Sequence, residues 1–518
     1  VTATQAGDCY NWGYDPLHYN VPEGSYASDP ADGAVRILEF RRMVQALHRA
    51  GLRVGMDVVY NHTSAAGQAP NSVLDRIVPG YYHRLDASGA VATSTRCANT
   101  ATENLMMGKL MIDSVVVWAR DHHIDSFRFD LMGHQPRAVM EVLKARVDAA
   151  AGREVQLLGE GWNFGEVANG ARFVQASQLS LNGSGIATFS DRARDAARGG
   201  SAGDNGIDQM RNQGWLNGQH FAPNASARGL HSRDDLARSA DLVRVGLAGS
   251  LRGYELTTAR GDTVPMARID YAGQPAGYTS QPGEVVNYVE NHDNQTLFDA
   301  NGFKLPRDPS TEDRARVQIL GAALVAFSQG VAYFHAGQEI LRSKSMDRNS
   351  FDSGDWFNRL DWTLRDNGFG AGLPPQQDNA ASWDLMRPLL ADPAIKPTLA
   401  DIAWTRDAFL DLLRIRASST LIRLRTADDV QRRLRFPGSG PMQTPTLVAG
   451  HLDGRDHDGA GFGELLYAIN TDTVPQSLTL ADAAEKAWTL HPVHLAPDAA
   501  DQRARDSRFD AATGTFTI

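Results

Sequence analysis

Four short runs in this chain end in side chains that can move protons or attack carbon. They are Asp57-Val58-Val59-Tyr60-Asn61-His62, Phe127-Arg128-Phe129-Asp130, Leu158-Gly159-Glu160-Gly161-Trp162, and Tyr288-Val289-Glu290-Asn291-His292-Asp293-Asn294. Taken singly, each has an ordinary reading. An Asp at a strand end caps a helix, a His packs, Arg128 with Asp57 is an ion pair, and Trp162 is core. Four strand ends of one polarity finishing this way are harder to assign to capping, because ligand sites collect at the carboxyl ends of parallel strands. In Phe127-Arg128-Phe129-Asp130 the side chains alternate, so Arg128 and Asp130 share one face and the two phenylalanines the other. Adjacent parallel strands lie about 4.8 Å apart, so carboxylates at equivalent ends sit roughly 5 Å apart. That is the separation of retaining glycosidases, where one carboxylate attacks directly and no water fits between the two. Arg128 keeps Asp130 ionised, as a nucleophile requires. Glu160 lies between two glycines that leave space for a ligand, beside an indole that would push its pKa towards an acid's role.

The elements that must carry these ends alternate through the first 340 residues. Phe40, Met43, Val44, Leu47 and Ala50 follow helical spacing and stop at Gly51. Strand-like runs follow at 52–60, 124–131, 155–162, 186–190, 285–291 and 331–335, with helices over 105–119, from Pro136 to 150, and from an N-cap at Thr311 to 329 with Gly330 as its stop. Repeated strand–helix–strand units imply a parallel sheet covered by helices. Six such strands are compatible with an open doubly wound sheet and with a (β/α)8 barrel. Residues 199–233 and 366–382 break the alternation as long polar loops. Beyond about 427 the pattern changes to short alternating runs at 446–448, 464–469, 478–480 and 488–491, an appended antiparallel β-sandwich.

Bulk properties narrow the ligand. The 518 residues carry 51 basic and 61 acidic side chains, a net charge of −10, which argues against a nucleic-acid partner. Apolar residues make up 42%, and no apolar stretch approaches the ~20 residues of a membrane span. Residues 1–8 show no signal peptide. Uncharged carbohydrate suits this balance. Two cysteines, Cys9 and Cys97, are too few and too far apart for a structural zinc cluster.

The runs DVVYNHT, FRFDLM, GEGW and YVENHDN resemble, in order and spacing, the four motifs of the α-amylase superfamily (glycoside hydrolase family 13). YNWGYDP at 10–16, GEGW and FDSGDWFNR at 351–359 resemble more narrowly the type I pullulanases and limit dextrinases. The resemblance implies a (β/α)8 TIM-type barrel with strands 3–8 present, over residues 1–426, and a C-terminal β-sandwich over 427–518. It implies a retaining hydrolase of α-1,6 branch linkages in pullulan, limit dextrins and amylopectin. An α-1,4-acting amylase is the alternative, and a non-catalytic glucan-binding pseudoenzyme a reading of another class. By the same resemblance Asp130 is the nucleophile, Glu160 the acid/base and Asp293 the third carboxylate supporting the charged sugar ring. Arg128, His62 and His292 form the hydrogen-bonding shell around the reactive glucose. Tyr14 is the platform beneath it and Trp162 a platform on the leaving-group side. Asp355 and Arg359 contact more distant sugars, and Asp57 partners Arg128.

No cofactor is needed for this chemistry. Residues like Asn61 bind calcium in other members of the superfamily, so a structural calcium stays open. No protein partner is implied, and an extracytoplasmic location is favoured. Cys9 adjoins the 10–16 loop and Cys97 lies in the loop after Asn61-His62. A disulfide between them, which would signal an oxidising compartment, and two unrelated thiols are both open. The family places two barrel strands before a motif that here begins at residue 10. The chain therefore resembles an internal fragment, expected to show an open arc of strands and to fold poorly and act weakly on its own.

Overall fold

Each helix of the first half owes its position to an apolar stripe at helical spacing. Met111, Val115 and Trp118 line one side of a helix over Leu105–Asp121, and Met140, Leu143 and Val147 one side of another over Arg137–Ala151. All six are buried against Phe127, Phe129 and Leu157 of the neighbouring strands. Burying one such side chain is worth about 1.5–3 kcal/mol, so these stripes fix which face of each strand is covered.

The computed structural model describes residues 10–518. The chain divides into two compact units, Gly13–Phe189 and Ser190–Ile518 with residues 10–12. The first begins with α1 (Gly33–Arg49), whose Asp32 cap accepts from the Ala34 amide at 2.8 Å. It continues through β1 (Gly55–Val58), α2 (Leu105–Asp121), β2 (Ser126–Phe129), α3 (Arg137–Ala151), β3 (Gln156–Gly159) and β4 (Ala187–Phe189). Pro136 caps α3 and Gly152, at φ +65°, ends it. The four strands are parallel in the order β1-β2-β3-β4. Their register pairs Asp57 with Arg128, Phe129 with Gly159, and Gly159 with Thr188.

The second unit holds α4 (Arg233–Leu247), β5 (Val285–Asn287), α5 (Thr311–Phe327), β6 (Val331–Ala332) and α6 (Leu399–Ser418). Here β5 and β6 are parallel, with Val286 opposite Val331. All six strand segments expected from the sequence are therefore strands. The cap of α5 is Ser310 rather than Thr311, because the Ser310 hydroxyl reaches the Asp313 amide at 3.1 Å. The helix ends at Phe327, two residues early, where Ser328 turns extended at ψ 140°.

The β-rich end forms two small antiparallel sheets. One contains β7 (Leu434–Arg435), β8 (Leu447–Asp453) and β9 (Glu464–Asn470); the other contains β10 (Ser477–Thr479), β11 (Arg508–Asp510) and β12 (Thr515–Thr517). Alternate residues of β9 are buried, as its period-two pattern requires. The strand expected at 488–491 does not form. Trp488 packs edge-on against His451 and Phe516, and His491 instead caps a helical turn opened by Pro492, which has no N–H to give a sheet.

Gly159 closely approaches its neighbours in the first unit. A Cβ there would stand 2.7 Å from the Phe129 carbonyl and 2.9 Å from Met132 Cβ. Gly159→Ala is expected to destabilise the fold by about 1–3 kcal/mol, read as a lower midpoint in urea unfolding with an unchanged slope.

Candidate active site

The ladder of the first unit extends one residue past the strands. The Asp130 amide donates to the Val58 carbonyl at 2.9 Å and the Glu160 amide to the Phe129 carbonyl at 3.2 Å. Asp130 and Glu160 are therefore side by side, one residue beyond the Phe129–Gly159 pair, at the roughly 5 Å of neighbouring parallel strands. Leu131, at φ 40° and ψ 48°, then turns the chain sharply. That turn aims its amide at Glu160 Oε2, 3.0 Å away.

One guanidinium joins the group. Arg128 Nη1 lies 2.9 Å from Asp57 and 3.0 Å from Asp130, and Nη2 lies 3.2 Å from Glu160. Burial alone would favour neutral Arg128; Glu160, Asp57 and the other acidic groups outweigh it and hold the cation well above its usual range. The Tyr14 hydroxyl donates to Asp57, and its ring lies 5.6 Å from the guanidinium carbon. Burial, reinforced by Asp57, keeps that phenol protonated. Asn61 Nδ2 donates to Asp130 Oδ2 and to the Asp130 carbonyl, both at 2.9 Å. Asn61 Oδ1 thus faces His62 Nδ1 at 2.6 Å, while His62 Nε2 lies 2.7 Å from the Tyr14 carbonyl. Tyr14, Asp57, His62, Arg128, Asp130 and Glu160 are all brought together in this unit.

The glycines around Glu160 do something other than admit a ligand. The space beside Gly159 is filled by the Phe129 carbonyl and that beside Gly161 by the Gln178 amide, 2.7 Å from where a Cβ would be. Their missing side chains let backbone pack against backbone. Trp162 is half-buried just beyond, its carbonyl pressed on Gly133.

Beneath these loops lies a charged cluster that no motif announced. Arg84, 1% exposed, makes paired contacts of 2.9 and 2.8 Å to Glu103, one of 2.9 Å to Glu166 and one of 3.0 Å to the His134 carbonyl. Glu166 also accepts from Ser94 and Asn99. Burial works against its charge, but these donors lower its pKa from 4.5 to about 2. Burial pushes His134 down to about 4, so its ring is neutral. Its partners are 19 and 82 residues from Arg84, a separation that leaves no pattern in the sequence.

The second unit carries the remaining candidates. Glu290 is buried and fully occupied, accepting from the Leu297 amide at 2.6 Å and meeting His335 Nδ1 at 2.9 Å. His292 stacks on Trp12 with ring centroids 4.2 Å apart. The Lys344 ammonium donates to the His292 carbonyl. Burial draws Lys344 down to about 8 against the opposing pull of Asp347 and Asp293. Asp293 is half-buried and lines a recess with Arg198, Asp204 and Lys304. Asp355 and Arg359 flank a helical turn and are both exposed. Cys97 is half-buried in the first unit with its Sγ 3.9 Å from Asp15, and the question of a bridge to Cys9 lies outside the described residues. Asn61 does not fit a calcium ion: its amide oxygen accepts from His62, and its carbonyl accepts from the Thr100 amide at 3.0 Å.

Paired carboxylates at adjacent strand ends, clamped by one arginine over a parallel sheet, have the arrangement of a retaining glycosidase site. Comparison with known proteins narrows this. Residues 364–518 match the family described as alpha-1,6-glucosidases, pullulanase-type, C-terminal. The chain is 41% identical to Pullulanase 1, chloroplastic, of Arabidopsis thaliana, over all of this chain and 55% of that protein. It is 40% identical over 99% of its length to the pullulanase of Klebsiella pneumoniae, covering 46% of that protein. The crystal structure of apo pullulanase from Klebsiella pneumoniae superposes with a TM-score of 0.92 at 39% identity, over all of this chain and 55% of that one. This chain is similar to these pullulanases and spans about half the length of the relatives it matches.

The Glu166 pKa has a consequence for stability. A carboxylate held near 2 contributes fully above its unfolded value of 4.5 and loses that contribution as pH falls towards 2. Glu166→Gln should cost on the order of 2–3 kcal/mol at pH 7, and the gap to wild type in urea unfolding should narrow steadily below about pH 4.5.

Proposed function

We propose that the protein hydrolyses α-1,6 branch linkages in pullulan, limit dextrins and amylopectin, with retention of configuration. The observation that carries this is the Arg128 guanidinium, in contact with both Asp130 and Glu160 at neighbouring strand ends. Asp130 attacks the anomeric carbon while Glu160 gives its proton to the departing oxygen, forming a glycosyl ester. Glu160 then takes a proton from water, which attacks the anomeric carbon from the face the leaving group vacated and releases the Asp130 carboxylate. Asp293 supports the positive charge that develops on the ring. His62, Arg128 and His292 bind the hydroxyls of the reactive glucose, and Tyr14 and Trp162 stack on sugars. Asp57 holds Arg128, and Asp355 and Arg359 meet more distant sugars.

The six parallel strands serve as strands 3–8 of a (β/α)8 barrel, with residues 1–426 catalytic and 427–518 a β-sandwich. The choice of linkage is supported by relatives named pullulanases, one of them solved as a maltotriose complex. An extracytoplasmic setting belongs to the same reading.

With pullulan as substrate, the complete protein should release maltotriose whose first-formed anomer, by proton NMR, has the configuration of the linkage cleaved. Asp130→Asn should lower kcat by at least about 10³-fold. Cleavage of amylose with no maltotriose from pullulan would move the activity to α-1,4 bonds, and an inverted anomer would rule out the double displacement. Turnover equally negligible in wild type and Asp130→Asn, with both binding glucan, would point to a glucan-binding role instead.

A further inference from the structure

Asp130 and Glu160 sit on the strand ladder, but Asp293 lies past the end of β5 at Asn287, in a bend. A helix over Leu297–Lys304 follows, with Asp299 in its first turn. Lys344 reaches both ends of this segment. Its ammonium donates to the His292 carbonyl, part of the peptide group that leads into Asp293. It also lies 5.4 Å from the centre of the Trp12 ring, on which His292 stacks. The Lys344 backbone amide donates to Asp299 Oδ2 at 2.7 Å, and the Ser343 hydroxyl donates to Asp299 Oδ1.

An ammonium buried this completely is unfavourable unless its charge is matched, and a methionine of similar length would fill the space without that cost. Asp347 does not need it as a donor. That carboxylate already accepts from Ser353 Oγ at 2.6 Å, Asn379 Nδ2 at 2.9 Å and the Asn349 amide at 2.9 Å. The hydrogen bond of the ammonium goes instead to the His292 carbonyl, and Asp293 is one of the acids whose charge opposes the effect of burial on Lys344. We propose that Lys344 is a positioning residue for Asp293. Its ammonium fixes the His292–Asp293 peptide and attracts the carboxylate, while its amide fixes the far end of the same segment through Asp299. Because Lys344 acts only through Asp293, the inference rests on the role that the proposed function gives that carboxylate.

Lys344→Met in the complete protein should lower kcat on pullulan about 100-fold, the loss that a misplacement of about 1 Å brings. KM should stay within about threefold of wild type, because a group that works in the transition state leaves ground-state binding alone. Asp293→Asn should itself lower kcat about 10²–10³-fold. Adding Lys344→Met to Asp293→Asn should cost less than about threefold more, since effects that pass through one group do not add. Lys344→Gln keeps a neutral donor for the His292 carbonyl and should fall between wild type and Lys344→Met; it takes the place of Lys344→Met should that variant not fold. A kcat within about threefold of wild type, a loss confined to KM, or the same loss of about 100-fold repeated in the Asp293→Asn background overturns the positioning role. Undiminished kcat in Asp293→Asn alone would instead overturn the role of Asp293 beneath it, whatever Lys344→Met does.

Discussion

Three carboxylates meet one guanidinium at Arg128, and the first unit is built around keeping that arrangement in place. Asp57, Asp130 and Glu160 repel one another. At an effective dielectric of 20, like charges 5 Å apart cost about 3 kcal/mol per pair, and each contact to the cation at 4 Å returns about 4. Arg128 therefore holds the cluster together only while its geometry is right. The ladder pairs Asp57 opposite Arg128 and sets Asp130 and Glu160 two residues further on, so the register of three strands decides whether the cation reaches all three acids. A slip of one residue would send every one of them to the opposite face.

That dependence explains why the fold is so plain beneath the site. Phe127 and Phe129 are sealed under α2 and α3, which anchors the strand that carries Arg128 and Asp130. The glycines beside Glu160 let β3 and the segment after it pack against neighbouring backbone, so the acid is fixed from both sides. Asn61 works in the same sense, since one amide group orients Asp130 with its nitrogen and His62 with its oxygen. Rigidity here comes from backbone contacts and short polar links rather than from bulk.

Much of this could be read from residue order. Period-two alternation located Arg128 and Asp130 on one face, and helical stripes such as Met111, Val115 and Trp118 located the helices. These signals are local, and the structure keeps them. What escaped depends on partners far apart in the chain. Glu160's glycines read as room for a ligand because nothing local reveals that the Phe129 carbonyl and the Gln178 amide fill that room. Trp488 to His491 read as a strand because apolar alternation outweighed Pro492, yet the missing N–H and the His491 cap decide the backbone there. Glu290 read as one more carboxylate at a strand end, and its capture by Leu297 and His335 is visible only in space.

The Arg84 cluster is drawn from four separate stretches of chain, contributing Arg84, Ser94 with Asn99 and Glu103, His134, and Glu166. Each member satisfies another, so replacing any one leaves a buried charge or donor stranded, at a cost of several kcal/mol where the charge is Arg84. Drift at one of these positions is therefore tolerable only alongside changes at the others. Among relatives the cluster should be inherited whole or exchanged whole for an apolar packing, a unit of descent invisible to any motif drawn from consecutive residues.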